Sequence, residues 1–448
     1  MLTYQDFLKE PDRTAFLSRL IGEHTSSELV RTAEVADLYD RRKNKTINEF
    51  TRQLYTLNGQ RVPDYTASNN RIASNIFHRL NTQRATYSLG NGVTFQGDGV
   101  KDRLGVDFDT NLYFAGRLAL IHGVSFIFFN LDHVHVFPVT EFAPLWDEET
   151  GALRAGLRFW RLEAGKPLQA VFYEEDGYTV YSTDSGNQLH ESEPKRGYKE
   201  TLRKAPVDAE PEVVGVENYN ALPVVPLWGS RLHQSTLVGM REAIDSFDLI
   251  RSGFADDLTD CAQIYWLLEN YGGMTNEDLA RFRDRLKFQH IAVADTTEGQ
   301  ITPYTQEIPY NARQAYLEMI RSGIYEDFGA LDVTTFSAGQ KTATEIQAAY
   351  QPMDEEADDF EYQIILAVQK ILALLGIEDT PIFKRNRITN QLEQVQLVMM
   401  EAEYLDDETL LSKLPNITPD EIETIIKNKD AEGAERMSIG GEDEYEGI

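Results

Sequence analysis

Residues 237–271 read LVGMREAIDSFDLIRSGFADDLTDCAQIYWLLENY, and no proline interrupts them. Leu237, Met240, Ile244, Phe247, Phe254, Leu258, Cys261, Tyr265 and Leu268 follow one another at helical steps of three and four, with Arg251 as the single break. The spacing predicts an amphipathic helix of about nine turns, roughly 50 Å long at ~1.5 Å per residue. At 100° per residue, Glu242, Asp245, Asp256 and Asp260 share a narrow sector on the opposite side. Such a helix is either a long core or coiled-coil element with a solvated acidic back, or one that packs on neighbours and turns its acids toward an aqueous channel.

The composition narrows the choice. A chain of 448 residues, 42% apolar and 10% aromatic, is long enough for two or three domains with a real core. Its 43 basic and 73 acidic residues leave a net charge of -30, which argues against a broad basic grip on nucleic acid and against anionic membrane. One cysteine, Cys261, excludes an intramolecular disulfide and sits on the apolar stripe as a small hydrophobe. The start, MLTYQDFLKEPDR, has no apolar run of signal length, and Ile364–Ile377, broken by Gln369 and Lys370, is too short to span a bilayer. A soluble protein without an export address is expected.

Along the chain the pattern is α+β. Helices are expected from Asp12 to Ile21, Leu29–Tyr39, Ile47–Leu57, Ile72–Tyr87 and Phe108–Ile121, the last two stopped by glycines at 90–92 and 123. Arg41-Arg42-Lys43-Asn44-Lys45 reads as a solvated basic loop, with a phosphate contact as the sharper alternative. From Val124 to Val216 the period changes to two: Ser125–Asn130, His133–Pro138, Leu157–Leu162, Gln169–Tyr173 and Tyr178–Ser182 read as strands of an antiparallel sheet, and Lys195–Glu217 as an exposed loop. Beyond Gly272-Gly273, a helix over Asn276–Leu286 capped by Thr275 and strands His290–Ala294 and Gln300–Tyr304 make a small αββ module. Pro309 opens a helix over Tyr310–Ala330 that can return antiparallel to the first. A small polar loop through Lys341 follows, then the capping-box pattern Thr342-Ala343-Thr344-Glu345 and a third long helix to Leu375 that Pro352 should kink. Thr380–Ile388 reads as a strand, 391–429 as two short helices, and 430–448 as a disordered acidic tail.

Catalytic motifs are missing. GxxxxGK[ST], HExxH, paired CxxC and GxSxG do not occur. His133 and His135 share one face of a strand beside Asp132, but two ligands at i and i+2 without an evident third make a weak metal site, and an ordinary half-buried strand is favoured. The reading is a non-enzyme without a cofactor.

Several stretches, in this order, resemble the portal proteins of tailed bacteriophages, in the branch called SPP1-type: Ala36-Asp37-Leu38-Tyr39-Asp40-Arg41-Arg42, Asn70-Arg71-Ile72-Ala73-Ser74-Asn75, Tyr87-Ser88-Leu89-Gly90-Asn91-Gly92-Val93, Pro223-Val224-Val225-Pro226-Leu227, Gly339-Gln340-Lys341-Thr342-Ala343-Thr344-Glu345-Ile346 and Glu408–Pro415. The likeness covers about residues 34–427; many relatives carry Ser-Gly where this chain has Thr342-Ala343, which bears on the loop-to-helix joint. The resemblance implies a portal fold. A mixed α/β wing takes in 1–235, a long-helix stem 236–271 and 310–331, and a clip 272–309. A tunnel loop follows at 332–341, a kinked helix and return strand of the wing at 342–389, and a helical crown at 390–429. It further implies a ring, usually a dodecamer, in the virion at one capsid vertex, assembled in the host cytoplasm. That ring would meet major capsid and scaffolding proteins, the terminase large subunit and then a head-completion adaptor, with double-stranded DNA passing through and no membrane involved.

Within that frame the acids have a use. A basic lining would hold a sliding duplex by phosphate contacts. Glu242, Asp245, Asp256 and Asp260 repeated around a ring would instead keep DNA centred. Thr334, Thr335, Ser337, Gln340 and Lys341 would face the DNA, with Lys341 either a weak contact that reads no sequence or a solvent-exposed lysine with no role. The apolar stripe would face adjacent subunits, and the clip strands would pair across subunits. The rival readings are another ring-forming head or tail connector without a DNA-translocation role, and a metal-dependent nuclease using His133 and His135.

Overall fold

The computed structural model describes residues 2–55, 58–65, 67–183, 188–203, 212–260, 309–336 and 343–387, with shorter pieces at 265–269, 275–278, 280–282, 300–304, 399–400, 406, 409–411 and 425. They divide into two units, Met1–Asp332 with Pro352–Lys384, and Val333–Gln351 with Arg385–Ile448.

The first unit opens with helices α1 (Tyr4–Lys9), α2 (Arg13–Thr25), α3 (Glu28–Asp40) and α4 (Lys45–Glu49). Each begins behind a residue whose side-chain oxygen accepts a first-turn N–H: Thr3 from Asp6, Asp12 from Ala15, Ser27 from Val30 and Asn44 from Ile47. A two-stranded hairpin, β1 (Gln53–Tyr55) with β2 (Arg61–Pro63), comes next, then α5 (Ile76–Leu89), β3 (Val93–Thr94), α6 (Val100–Leu104) and α7 (Phe108–His122). Gly123 ends α7 at φ +91, and a Cβ there would lie 2.9 Å from the Gln234 carbonyl carbon. Only glycine meets both demands.

The chain then becomes antiparallel sheet. Strands β4 (Val124–Asn130) and β5 (His133–Pro138) join β13 (Val224–Trp228) in the order β13-β4-β5. Strands β6 (Phe142–Trp146), β7 (Leu153–Trp160), β8 (Gln169–Glu174), β9 (Gly177–Thr183) and β10 (Leu189–Arg196) form a five-stranded meander, and β11 (Lys199–Arg203) pairs with β12 (Glu212–Glu217). Helices α1 and α2 lay Phe7, Phe16, Leu17 and Leu20 on the meander against Leu145, Leu157, Phe172 and Tyr181. The largest core joins α7 and the three-stranded sheet to Phe360, Ile364, Val368 and Ile371. Each such side chain withdrawn from water is worth about 1.5–3 kcal/mol.

Helix α8 (Arg241–Asp260) and helix α9 (Tyr310–Asp327) form an antiparallel pair. Tyr310 and Arg313 at the start of α9 meet Phe254 and Asp257 late in α8, while Ile324 and Phe328 share a core with Leu237, Met240 and Ile244. Between them, β14 (Tyr265–Glu269) pairs with β15 (Gln300–Tyr304). Helix α10 (Ala343–Leu374) contains Pro352, where the two units divide, and β16 (Ile382–Phe383) closes the first unit by pairing with β3. In the second unit, a 3-10 turn covers Val333–Phe336, and the Arg387 guanidinium lies 5.9 Å from the centroid of the Tyr350 ring.

Helices with antiparallel sheets agree with the α+β class, but several elements differ from their sequence readings. The long helix does not reach 271: α8 ends at Asp260, and Tyr265–Glu269 is a strand. The aromatic and leucine side chains of YWLL suit a pleated ladder as well as a helical stripe, and β15 supplies their backbone partners. That ladder lies within one chain. Ile47–Leu57 is not one helix; α4 stops at Glu49 and β1 begins at Gln53. Lys195–Glu217 is not an open loop, since β11 and β12 lie inside it, and Phe142–Trp146 is a strand that the period did not reveal. The strand expected at His290–Ala294, the acidic tail, most of 391–429, and Ser337, Gln340 and Lys341 fall outside the described residues.

Candidate functional site

The polar side of α8 is occupied. Asp245 accepts hydrogen bonds from the Tyr39 hydroxyl and from Thr46 Oγ1, the latter at 2.8 Å. Asp248, fully buried, accepts from Asn44 Nδ2 and from the Ser74 backbone N–H, each at 2.9 Å. Ser252 Oγ accepts from the Ile72 N–H at 3.0 Å, and one oxygen of the buried Asp256 takes both the Asn70 N–H at 2.5 Å and its Nδ2 at 2.8 Å. Residues 70, 72 and 74 thus meet 256, 252 and 248 in antiparallel order. The match is geometric: four helical residues advance ~6 Å, and two residues of extended chain advance ~6.6 Å.

This seam accounts for α5 starting at Ile76 and not at Ile72: contacts two residues apart along 70–74 match the four-residue steps of α8 only in extended chain. It also corrects two sequence expectations. Asp256 is buried and Asp245 half-buried against the N-terminal segment, so within one chain neither faces open solvent. Glu242 is exposed, and Asp260 is the last residue of α8. Burial pushes the Asp248 carboxyl above its ordinary range, against the pull of the Asn44 and Ser74 hydrogen bonds. Burial and the bond to Asp245 push the Tyr39 hydroxyl up as well.

Asp248 and Ser252 were missed because the acidic sector was drawn too narrowly. Measured from Asp245, they fall about 60° and 20° to one side of it at 100° per residue. A serine set among acids on one helix face was the available signal.

Thr334 and Thr335 sit in the 3-10 turn, with Thr334 exposed. His133 and His135 are exposed on β5 with ring centroids 4.8 Å apart, and His133 Nδ1 lies 2.8 Å from Asp132. Among the described residues no group of three or more His, Cys, Asp or Glu is arranged to hold a metal ion, and no helix is long and apolar enough to cross a membrane.

The portal protein of Bacillus phage SPP1 is 24% identical over 451 aligned residues, covering 93% of this chain and 86% of that one. The portal protein of Clostridium phage phiCD119 is 27% identical over 209 residues, covering 44% of this chain and 46% of the relative, so that match spans about half of the relative's length. Among solved structures, the neck of a native gene transfer agent particle computed with C12 symmetry aligns with a TM-score of 0.44 at 10% identity, covering 76% of this chain and 90% of that one. A gene transfer agent virion aligns with a TM-score of 0.40 at 11% identity over the same shares. The family model described as phage portal protein, SPP1 Gp6-like, matches residues 20–435, and the chain belongs to that family.

Proposed function

We propose that copies of this chain close into a ring at one vertex of a phage capsid, through which DNA is packaged and later released. The observation that carries this is the family match over residues 20–435, joined by near full-length alignment to the portal protein of Bacillus phage SPP1. The role is structural: it forms a conduit and a docking collar and performs no bond chemistry. A dodecamer in the virion is the expected assembly, meeting capsid and scaffolding proteins at its rim. The terminase large subunit and then a head-completion adaptor would dock on the clip around β14 and β15.

The antiparallel pair α8–α9 would form the stem. On the reading offered here, the exposed Glu242 serves a channel, with Asp260 proposed beside it from the sequence, while Asp245 and Asp256 hold the subunit together. A lining of carboxylates releases no counterions from a passing duplex and so does not slow it. Thr334, Thr335, Ser337, Gln340 and Lys341 would make the loop nearest the DNA, with Lys341 giving a transient phosphate contact.

Electron micrographs of the purified protein viewed down its axis test the reading. An annulus with a bore wide enough for duplex DNA is expected; monomers at every concentration would overturn it.

A further inference from the structure

The hairpin β1–β2 stands apart from the rest of the first unit. Its two strands pair with each other alone among the described residues, and every residue of both strands is exposed. An isolated two-stranded hairpin is marginal in water. This one also presents Phe50, Leu54, Tyr55, Val62 and Tyr65 to solvent, with Tyr55 at 67% and Tyr65 at 88% exposure. Scattered apolar residues are ordinary at a surface, but five within sixteen positions make a patch that marks a contact.

The ends of this segment are fixed. Asn44 and Thr46 bind Asp248 and Asp245 before the hairpin, and Asn70, Ile72 and Ser74 bind Asp256, Ser252 and Asp248 after it. The hairpin is therefore held out on a rigid base.

Its charge names the partner. Residues 50–65 carry Arg52 and Arg61 against the single acid Asp64, a positive segment in a chain whose net charge is -30. Arg61 lies over the Tyr55 ring at 5.4 Å, and arginine with tyrosine is the composition of a protein contact surface. The apolar members suit a protein surface and not a phosphate backbone. The acidic surface present at highest local concentration in a ring is that of the next copy.

We propose that the segment 50–65 is an arm that docks on an acidic flank of the adjacent copy of this chain, with its tyrosines as anchors and its arginines giving the approach its charge complementarity. The proposal rests on the ring reading above.

The test uses full-length protein with p-benzoylphenylalanine placed at Tyr55 or Tyr65, irradiated and mapped by mass spectrometry. Crosslinks between two copies, on a peptide rich in Asp or Glu, are expected. The double variant Tyr55→Ser/Tyr65→Ser should raise the subunit dissociation constant at least tenfold by analytical ultracentrifugation. Arg61→Glu should weaken assembly at low salt and flatten its dependence on NaCl. Unchanged circular dichroism, and unchanged amide exchange at Ser74, would show that both variants keep their fold. Wild-type rings with crosslinks only inside one chain, or to DNA, or with dissociation unaltered by the variants, would overturn the arm while leaving the ring intact. A wild-type protein that never forms a ring would overturn both.

Discussion

Replacing Asp248 with alanine should release the chain around Ser74 from α8. Asp248 is fully buried and accepts two hydrogen bonds, from Asn44 Nδ2 and the Ser74 N–H, each at 2.9 Å. Hydrogen bonds to a charged acceptor contribute about 1.5–3 kcal/mol each, and a buried donor left without a partner adds its own desolvation penalty. Against this stands the cost of burying the carboxylate, visible in its raised pKa. The balance is a loss of about 2–4 kcal/mol in the free energy that holds this segment. At one decade per ~1.4 kcal/mol, hydrogen exchange at the Ser74 amide should accelerate roughly 30- to 700-fold. Exchange followed by mass spectrometry on peptides covering 68–76 reads this directly, and Glu242→Ala, on the exposed side of the same helix, should change it by less than twofold. Equal exchange in wild type and Asp248→Ala would show that the seam does not hold the segment.

Other outcomes follow from the same contacts. Arg84 is buried, donates to the Phe328 carbonyl, pairs with Glu356 at 3.0 Å and lies 4.1 Å over the Phe328 ring; Arg84→Ala should cost about 2–4 kcal/mol in chemical denaturation. His24 is buried, donates from Nε2 to the Val139 carbonyl at 2.7 Å, and burial lowers its pKa below 6.5. Below pH 6.5 the unfolded chain takes a proton that the folded one refuses, so stability present above that pH should fall as pH drops from 7 toward 5. His24→Gln should flatten this part of the melting-temperature profile. Gly123→Ala places a Cβ at φ +91 and 2.9 Å from the Gln234 carbonyl carbon, and should lower stability by about 1–3 kcal/mol or prevent folding, read by expression and thermal melts. Lys341→Ala should leave ring assembly intact and reduce retention of packaged DNA in particles; unaltered retention would remove the proposed contact.

The sequence was legible where one physical demand dominated. The helices expected from Asp12 to Ile21, over Phe108–Ile121 and on to Leu375 are α2, α7 and α10 in the structure, which bury Phe16, Leu17 and Leu20, Leu112, and Phe360 and Ile364. Strand β4 was visible as a β-rich apolar run and β5 in its alternation. Legibility failed where two backbone partners competed for one pattern. Tyr265 and Leu268 continue a helical stripe in spacing, yet a ladder with β15 takes them. Thr201 and Val213 sit in a polar stretch whose pairing is decided by a partner strand and not by any local period. The carboxylates of α8 were recognisable as a polar face, but three of the donors that meet this face are the backbone N–H groups of 70, 72 and 74, which have no side-chain signature at all.

A helix that takes an N–H on every fourth residue is a rack, and a plain rack lets its mate slip by a tooth. Shifted toward the start of α8, Ser74 would meet Ile244, which has no acceptor, and Asn70 would bring two donors to the lone hydroxyl of Ser252. Shifted the other way, the enclosed carboxylate of Asp248 would keep Asn44 alone. The uneven teeth leave one seating, so the hairpin between them is always presented at the same height along the helix.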